Sequence, residues 1–171
     1  VHWDNVTLWQ VDERCVPPDD DRSNWRMIRE ELLRHIHGVR AYRIEAEQAG
    51  AAQRYENLLL EQVPKDRVGV PQLDVALLGM GADGHTASLF PGTPALDERT
   101  RLVVRQDAPT LDVPRVTMTC PLLQAATRRW FLVTGPDKAE AFDQVQNGAL
   151  PAGRFYETSD WFVDPAAAGR G

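Results

Sequence analysis

Apolar residues along this chain alternate between two spacings. Short unbroken runs of β-forming residues read as strands. Between them lie longer stretches with apolar positions three and four apart, which read as helices. Val6–Val11 predicts a strand, and the loop from Pro17 to Arg22 ends it. Ser23 then stands where a helix cap belongs, and Trp25, Ile28, Leu32 and Ile36 predict a helix with one apolar face. Val39–Ile44 predicts a strand or extended link, and Ala46–Val63 a second amphipathic helix with Tyr55, Leu58, Leu59 and Val63 inward, stopped at Pro64.

Leu73–Leu78 is a nearly continuous apolar run, as expected of a parallel-sheet strand covered on both faces. A turn with Gly79, Gly81 and Gly84 follows, then a short helix cut off by Pro91, Gly92 and Pro94. Further strands are predicted at Arg101–Arg105, Arg115–Cys120, Trp130–Thr134 and Trp161–Val163, with a helix from Asp137 to about Val145. Strands alternating with helices predict an α/β fold with a mostly parallel sheet. Internal repeats and low-complexity tracts are absent from the sequence.

Composition adds bounds. The 171 residues fit one domain, and 43% apolar with 26% charged residues can bury a core. A net charge of −6 argues against general nucleic-acid binding, yet a local arginine–lysine cluster can still hold a phosphate. Cys15 and Cys120 have neither disulfide-framework nor zinc-site spacing and predict two buried thiols in a reducing, cytoplasmic setting. No apolar run reaches the length of a membrane span.

The candidate chemistry sits just past the Leu73–Leu78 strand, where open α/β sheets bind ligands. Glycines let the backbone approach a ligand closely and adopt positive φ. His85 is the candidate general base, since an imidazole of ordinary pKa, about 6.5, accepts a proton near neutrality; a histidine that merely hydrogen-bonds the turn is the plainer alternative. Asp83 either orients that imidazole or closes an Asx turn, and the two roles are compatible. Gly79, Gly81 and Gly84 also fit G-x-G-x-x-G, but the prolines that follow leave no regular βαβ unit, so a dinucleotide site is not expected. Arg14, in Asp12-Glu13-Arg14, offers a planar fork of donors suited to phosphate. Arg115 opens a strand, and Lys138 falls in the first turn of a helix, where a cation is out of place unless an anion binds. His35 and His37, two apart, do not share a helix face and are not expected to bind metal.

Gly79-Met-Gly-Ala-Asp-Gly-His-Thr-Ala-Ser-Leu-Phe-Pro91 resembles the 6-phosphogluconolactonases. Val11-Asp-Glu-Arg14 with Val16-Pro17, Ser23-Asn24, Pro114-Arg-Val-Thr-Met-Thr119, Thr134-Gly135 with Lys138, Leu150-Pro-Ala152 and Trp161-Phe-Val-Asp-Pro-Ala-Ala167 extend the resemblance, in order, from about residue 6 to 168. It implies a Rossmann-like three-layer fold shared with glucosamine-6-phosphate isomerases, and hydrolysis of 6-phospho-D-glucono-1,5-lactone without metal or cofactor. His85 would be the base, with Asp83 beside it. Arg14, Arg115 and Lys138, with Asp12, Gly81 and Gly84 nearby, would bind the substrate, and N–H groups of the glycine turn would stabilise the oxyanion. Family members open with a strand and a Ser-Gly-Gly-Ser-Thr-Pro-like loop that holds phosphate. No such loop occurs in this sequence, so the expectation is a single domain, residues 1–171, lacking that N-terminal segment. A non-catalytic fragment or partner domain is therefore the main alternative. The resemblance also leaves room for fusion to, or association with, a glucose-6-phosphate dehydrogenase. The related isomerases carry Asn-Glu-Pro where this chain has Leu89-Phe90-Pro91, and typically Tyr at the position of Arg14, which favours the lactonase branch.

Overall fold

In a computed structural model, which describes residues 1–107 and 112–170, strands and helices alternate as expected. The strands are β1 (Thr7–Trp9), β2 (Asp12–Arg14), β3 (Arg40–Tyr42), β4 (Val75–Gly79), β5 (Val103–Gln106), β6 (Arg115–Met118), β7 (Arg128–Val133) and β8 (Asp160–Val163). The helices are α1 (Asn24–Glu31), α2 (Ala51–Gln62), α3 (Pro94–Asp97), α4 (Cys120–Ala125) and α5 (Ala139–Gln146). The parallel strands form two groups, β1–β3 and β4–β7–β8. A third group is antiparallel, β2–β6–β5, and refines the mostly parallel expectation.

One hydrophobic core joins these layers, with Tyr55 and Leu59 of α2, Leu78 of β4, Val116 and Met118 of β6, Phe131 of β7, Val145 of α5 and Phe155 all buried. Phe131 stacks on Trp161, ring centres 4.0 Å apart. Truncating such a buried aromatic costs about 3–5 kcal/mol. The tie from α2 to the sheet is polar: Glu56 Oε2 accepts from the N–H groups of Leu102 (2.7 Å) and Val103 (2.8 Å), fixing α2 on β5.

Ser23 caps α1 as expected, its Oγ accepting from Arg26 N at 3.2 Å. The helix ends earlier than its apolar spacing suggested. Leu32 leaves helical geometry, a 3-10 turn covers Leu33–His35, and Ile36 is extended. Its apolar face is only half covered; no residue of α1 is fully buried. The short helix expected after the glycine turn is absent. Thr86 and Leu89 instead form an isolated bridge around Ala87, whose φ is +50°, so the chain reverses there. β4 also departs from expectation: its residues alternate between exposed and buried, and one face of the parallel sheet is open. Among the described residues no helix is long and apolar enough to cross a membrane.

Candidate active site

The turn after β4 is built around its glycines. Gly81 N–H donates to the His85 carbonyl (2.9 Å), and Gly84 N–H to the Gly81 carbonyl (3.0 Å). This brings His85 back over Gly81 so closely that a Cβ there would overlap the imidazole Cε1 and Nδ1. Gly84 has the positive φ (+72°), and a Cβ on it would meet Leu150 Cδ1 at 2.5 Å. The Leu150–Ala152 segment clamps the turn from outside, with Ala152 N–H donating to the Gly84 carbonyl at 2.9 Å.

Asp83 takes both roles open to it. Its Oδ1 accepts from the His85 backbone N–H (3.1 Å) and lies 2.6 Å from His85 Nδ1. Partial burial pushes the Asp83 carboxyl up, but the hydrogen bonds from the His85 ring and backbone outweigh it and hold the carboxyl below its ordinary value. An anionic Asp83 on Nδ1–H leaves the Nε2 lone pair of a neutral imidazole available as a base. Phe90 covers the ring, centres 4.3 Å apart.

His85 lines a cleft of about 540 Å³ together with Asp12, Arg14, Asn24, Ser88 and Arg115. Arg14 and Arg115 are direct cross-strand partners in the β2–β6 ladder. Like charges directly opposite one another are destabilising unless an anion lies between them, and two guanidinium forks suit a phosphate. Arg14 is aimed by the Arg22 carbonyl (2.8 Å) and Asn24 Oδ1 (2.7 Å). Arg115, with a side chain only 11% exposed, is held by Asp112 (2.9 Å). Asp12 is desolvated, and burial pushes its carboxyl above the ordinary value despite the Ser88 hydrogen bond and the nearby Arg14 charge. Its two oxygens accept from Ser88 Oγ (2.6 Å) and Asn24 Nδ2 (3.2 Å).

Lys138 closes a 3-10 turn and stands at the N-cap of α5, the helix start where it was expected; it pairs with Asp137 at 2.8 Å and is not among the residues lining the cleft. The neighbouring aspartate supplies the anion that the helix-end argument assigned to a ligand. The N–H groups of Gly81, Gly84 and His85 are also engaged within the turn and are not free to hold an oxyanion.

Glu13, Ser88 and Asn24 are not among the site residues expected from sequence, and Phe90 enters there only as the residue standing where the isomerases carry a glutamate. Glu13 is 2% exposed, and its carboxylate accepts from Gln10, Ser23 and the backbone N–H groups of Arg14, Asn24 and Trp25. It joins β2 to the start of α1 and so sets Arg14 beside Asn24. The signal for Ser88 and Phe90 was their place in the His85 motif, three and five residues on; for Asn24 it was the cap position next to Ser23.

A family profile described as glucosamine-6-phosphate isomerases/6-phosphogluconolactonase matches residues 1–163. The 6-phosphogluconolactonase of Mycobacterium tuberculosis is 37% identical over 189 residues, covering 99% of this chain and 75% of its own. The crystal structure of devB protein superposes with a TM-score of 0.90 at 36% identity, covering 99% of this chain and 76% of that one. The 6-phosphogluconolactonase structure from Trypanosoma brucei has a TM-score of 0.81 at 30% identity, covering 94% and 72% respectively.

Proposed function

The chain belongs to the glucosamine-6-phosphate isomerase/6-phosphogluconolactonase family, and from that premise we propose that it is a carboxylic ester hydrolase that converts 6-phospho-D-glucono-1,5-lactone to 6-phospho-D-gluconate in the oxidative pentose phosphate pathway. The observation that carries this reading is the Asp83–His85 pair sharing one cleft with the Arg14–Arg115 pair. The arginines bind the substrate phosphate. His85 Nε2 takes a proton from water as its oxygen attacks C1, and Asp83 balances the imidazolium that forms. The C1–ring-oxygen bond then breaks as the imidazolium returns the proton to the ring oxygen, which releases the open-chain acid. The developing oxyanion lies beside that imidazolium and inside a cationic cleft, both of which favour it.

Phe90 supports the lactonase over the isomerase branch. It puts an apolar ring against His85 where the isomerases carry a glutamate, so no carboxylate stands there to assist sugar ring opening. In this reading residues 1–171 are one domain of the family, acting in the cytoplasm alone or joined to the glucose-6-phosphate dehydrogenase that makes the lactone. The test is hydrolysis of freshly generated lactone, coupled to 6-phosphogluconate dehydrogenase and compared with the spontaneous rate. Acceleration that disappears in a folded His85→Ala variant is expected. A folded parent chain that gives no acceleration overturns the assignment for this chain and favours a non-catalytic fragment.

A further inference from the structure

Arg115 meets the cleft with both arms of its fork already engaged. Its Nη1 donates to the Val113 carbonyl, and its Nη2 donates to Asp112 Oδ1 at 2.9 Å. Bidentate grip of a phosphate uses two arms of a guanidinium, so the nature of these partners matters. The Val113 carbonyl is uncharged backbone and aims the guanidinium. Asp112 is an anion, and it lines the same cleft as Arg14, His85 and Arg115. The Arg115 hydrogen bond holds its carboxyl below the ordinary value, so it is charged at neutral pH. A resident carboxylate and an incoming phosphate therefore compete for one arginine.

The two members of this ion pair are held very differently. The Arg115 side chain is 11% exposed, and its backbone is fixed in the β2–β6 ladder. The Asp112 side chain is 58% exposed. The carboxylate has room to turn away while the guanidinium stays. It also has a second partner, since Asp112 Oδ2 lies 3.8 Å from Arg22 Nη1, and Arg22 is not among the residues lining the cleft. The Lys138–Asp137 pair shows a similar imbalance of exposure but does not line the cleft.

We propose that Asp112 is a displaceable counter-ion of the phosphate site. In the empty cleft it occupies Arg115 and offsets the repulsion between Arg115 and Arg14, which face each other across the ladder. When the sugar phosphate enters, Asp112 gives up Arg115 and turns toward Arg22. After the lactone has opened, its return favours departure of the product. Asp112 thus sets affinity for substrate and product alike and takes no part in the chemical step. The inference rests on the phosphate-binding role given above to Arg14 and Arg115.

Asp112→Asn keeps the shape of the side chain and removes its charge. Calorimetry with 6-phosphogluconate and with inorganic phosphate, and the coupled lactone assay, are run on the parent, Asp112→Asn and Asp107→Asn. Asp107 pairs with Arg105 and does not line the cleft, so it controls for loss of a more distant negative charge. In Asp112→Asn both Kd values and KM are expected to fall by about 3- to 10-fold, between the effect of an exposed ion pair and that of a charged hydrogen bond. The kcat should not rise, because substrate and transition state gain equally. Asp107→Asn should stay within about twofold of the parent, its charge being screened. Circular dichroism checks the fold, and Asp112→Ala should shift both Kd values in the same direction. A parent that binds 6-phosphogluconate while Asp112→Asn binds it no more tightly overturns the role of Asp112 and leaves the lactonase reading standing. Equal tightening in Asp107→Asn assigns the effect to net charge and overturns the proposal too. A folded parent that binds neither ligand overturns the phosphate site and this proposal together.

Discussion

Replacing Gly81 with Ala tests whether the geometry of the His85 pair carries activity. The backbone at Gly81 is not in the left-handed region, so alanine is conformationally acceptable there. The cost is steric. The new methyl overlaps the imidazole Cε1 and Nδ1 of His85 and falls 2.8 Å from Asp83 Oδ1. Carbon atoms pack best about 3.5–4.0 Å apart, so the ring has to swing away by roughly 1 Å or more to restore contact distance. That motion also breaks the 2.6 Å contact between His85 and Asp83. A misplacement of about 1 Å costs around 10²-fold in rate, or ~2.7 kcal/mol of transition-state stabilisation. The coupled lactonase assay should therefore show kcat down about 100-fold, with KM little changed because Arg14 and Arg115 are untouched, and circular dichroism should show an intact fold. Gly79→Ala is the comparison, since a Cβ there meets nothing nearer than the Leu132 carbonyl at 4.0 Å, and it should keep kcat near that of the parent. If Gly81→Ala retains most of the parent kcat, His85 does not act in the position described here.

Three further outcomes are expected. Arg115→Lys keeps the charge but loses the fork, so kcat/KM should fall by about 10- to 100-fold, in line with the 1.5–3 kcal/mol of a charged hydrogen bond, and initial rates across substrate concentrations should show it. Glu13→Gln leaves some of the donors around that carboxylate without an acceptor; urea denaturation should show a loss of about 2–3 kcal/mol. Asp12→Asn removes a pH-dependent penalty, because burial lifts the Asp12 carboxyl above its ordinary 3.8 and so penalises its charged form in the folded state. That penalty is complete above the folded pKa and gone below the unfolded one, so in denaturation curves the parent should gain stability relative to Asp12→Asn as the pH falls toward about 4.

The parts of the site that were legible in sequence are those set by local chain geometry. The run into Gly79–Gly84 announced a strand ending in a tight turn, and Asp83 and His85 two residues apart were within reach of one another whatever the rest of the chain did. What was hidden depended on distant partners. Glu13 reads as a surface charge next to Asp12 and Arg14, and only the arrival of α1, ten residues on, buries it among five donors. β6 looked as though it would continue to Cys120, but it stops at Met118, where Thr119 Oγ1 turns to the Arg101 carbonyl (2.7 Å) and α4 begins, with Pro121 in its first turn. Lys138 stands at the start of α5 as its position implied, but the adjacent Asp137, equally open to view in the sequence, pairs with it, and the helix-end argument gave that neighbour no weight.

The two halves of the site arrive on different sheets, so their separation has to be held by something between them. His85 follows β4 of the parallel group, whereas Arg14 and Arg115 sit on the antiparallel β2–β6 pair. Ser88, three residues past His85 and 1% exposed, makes that link. Its Oγ donates to Asp12 of β2 (2.6 Å), its N–H donates to Thr117 Oγ1 of β6 (3.1 Å), and its carbonyl accepts from Gln106 of β5 (2.7 Å). All three strands of the antiparallel sheet thus grip one residue of the loop that carries the base. A buried polar link of this kind is costly to leave half satisfied and rigid when complete. It also gives Asp12 a reason to stay in place despite the penalty on its charge: its carboxylate is the point at which the base-bearing loop meets the strand that carries Arg14.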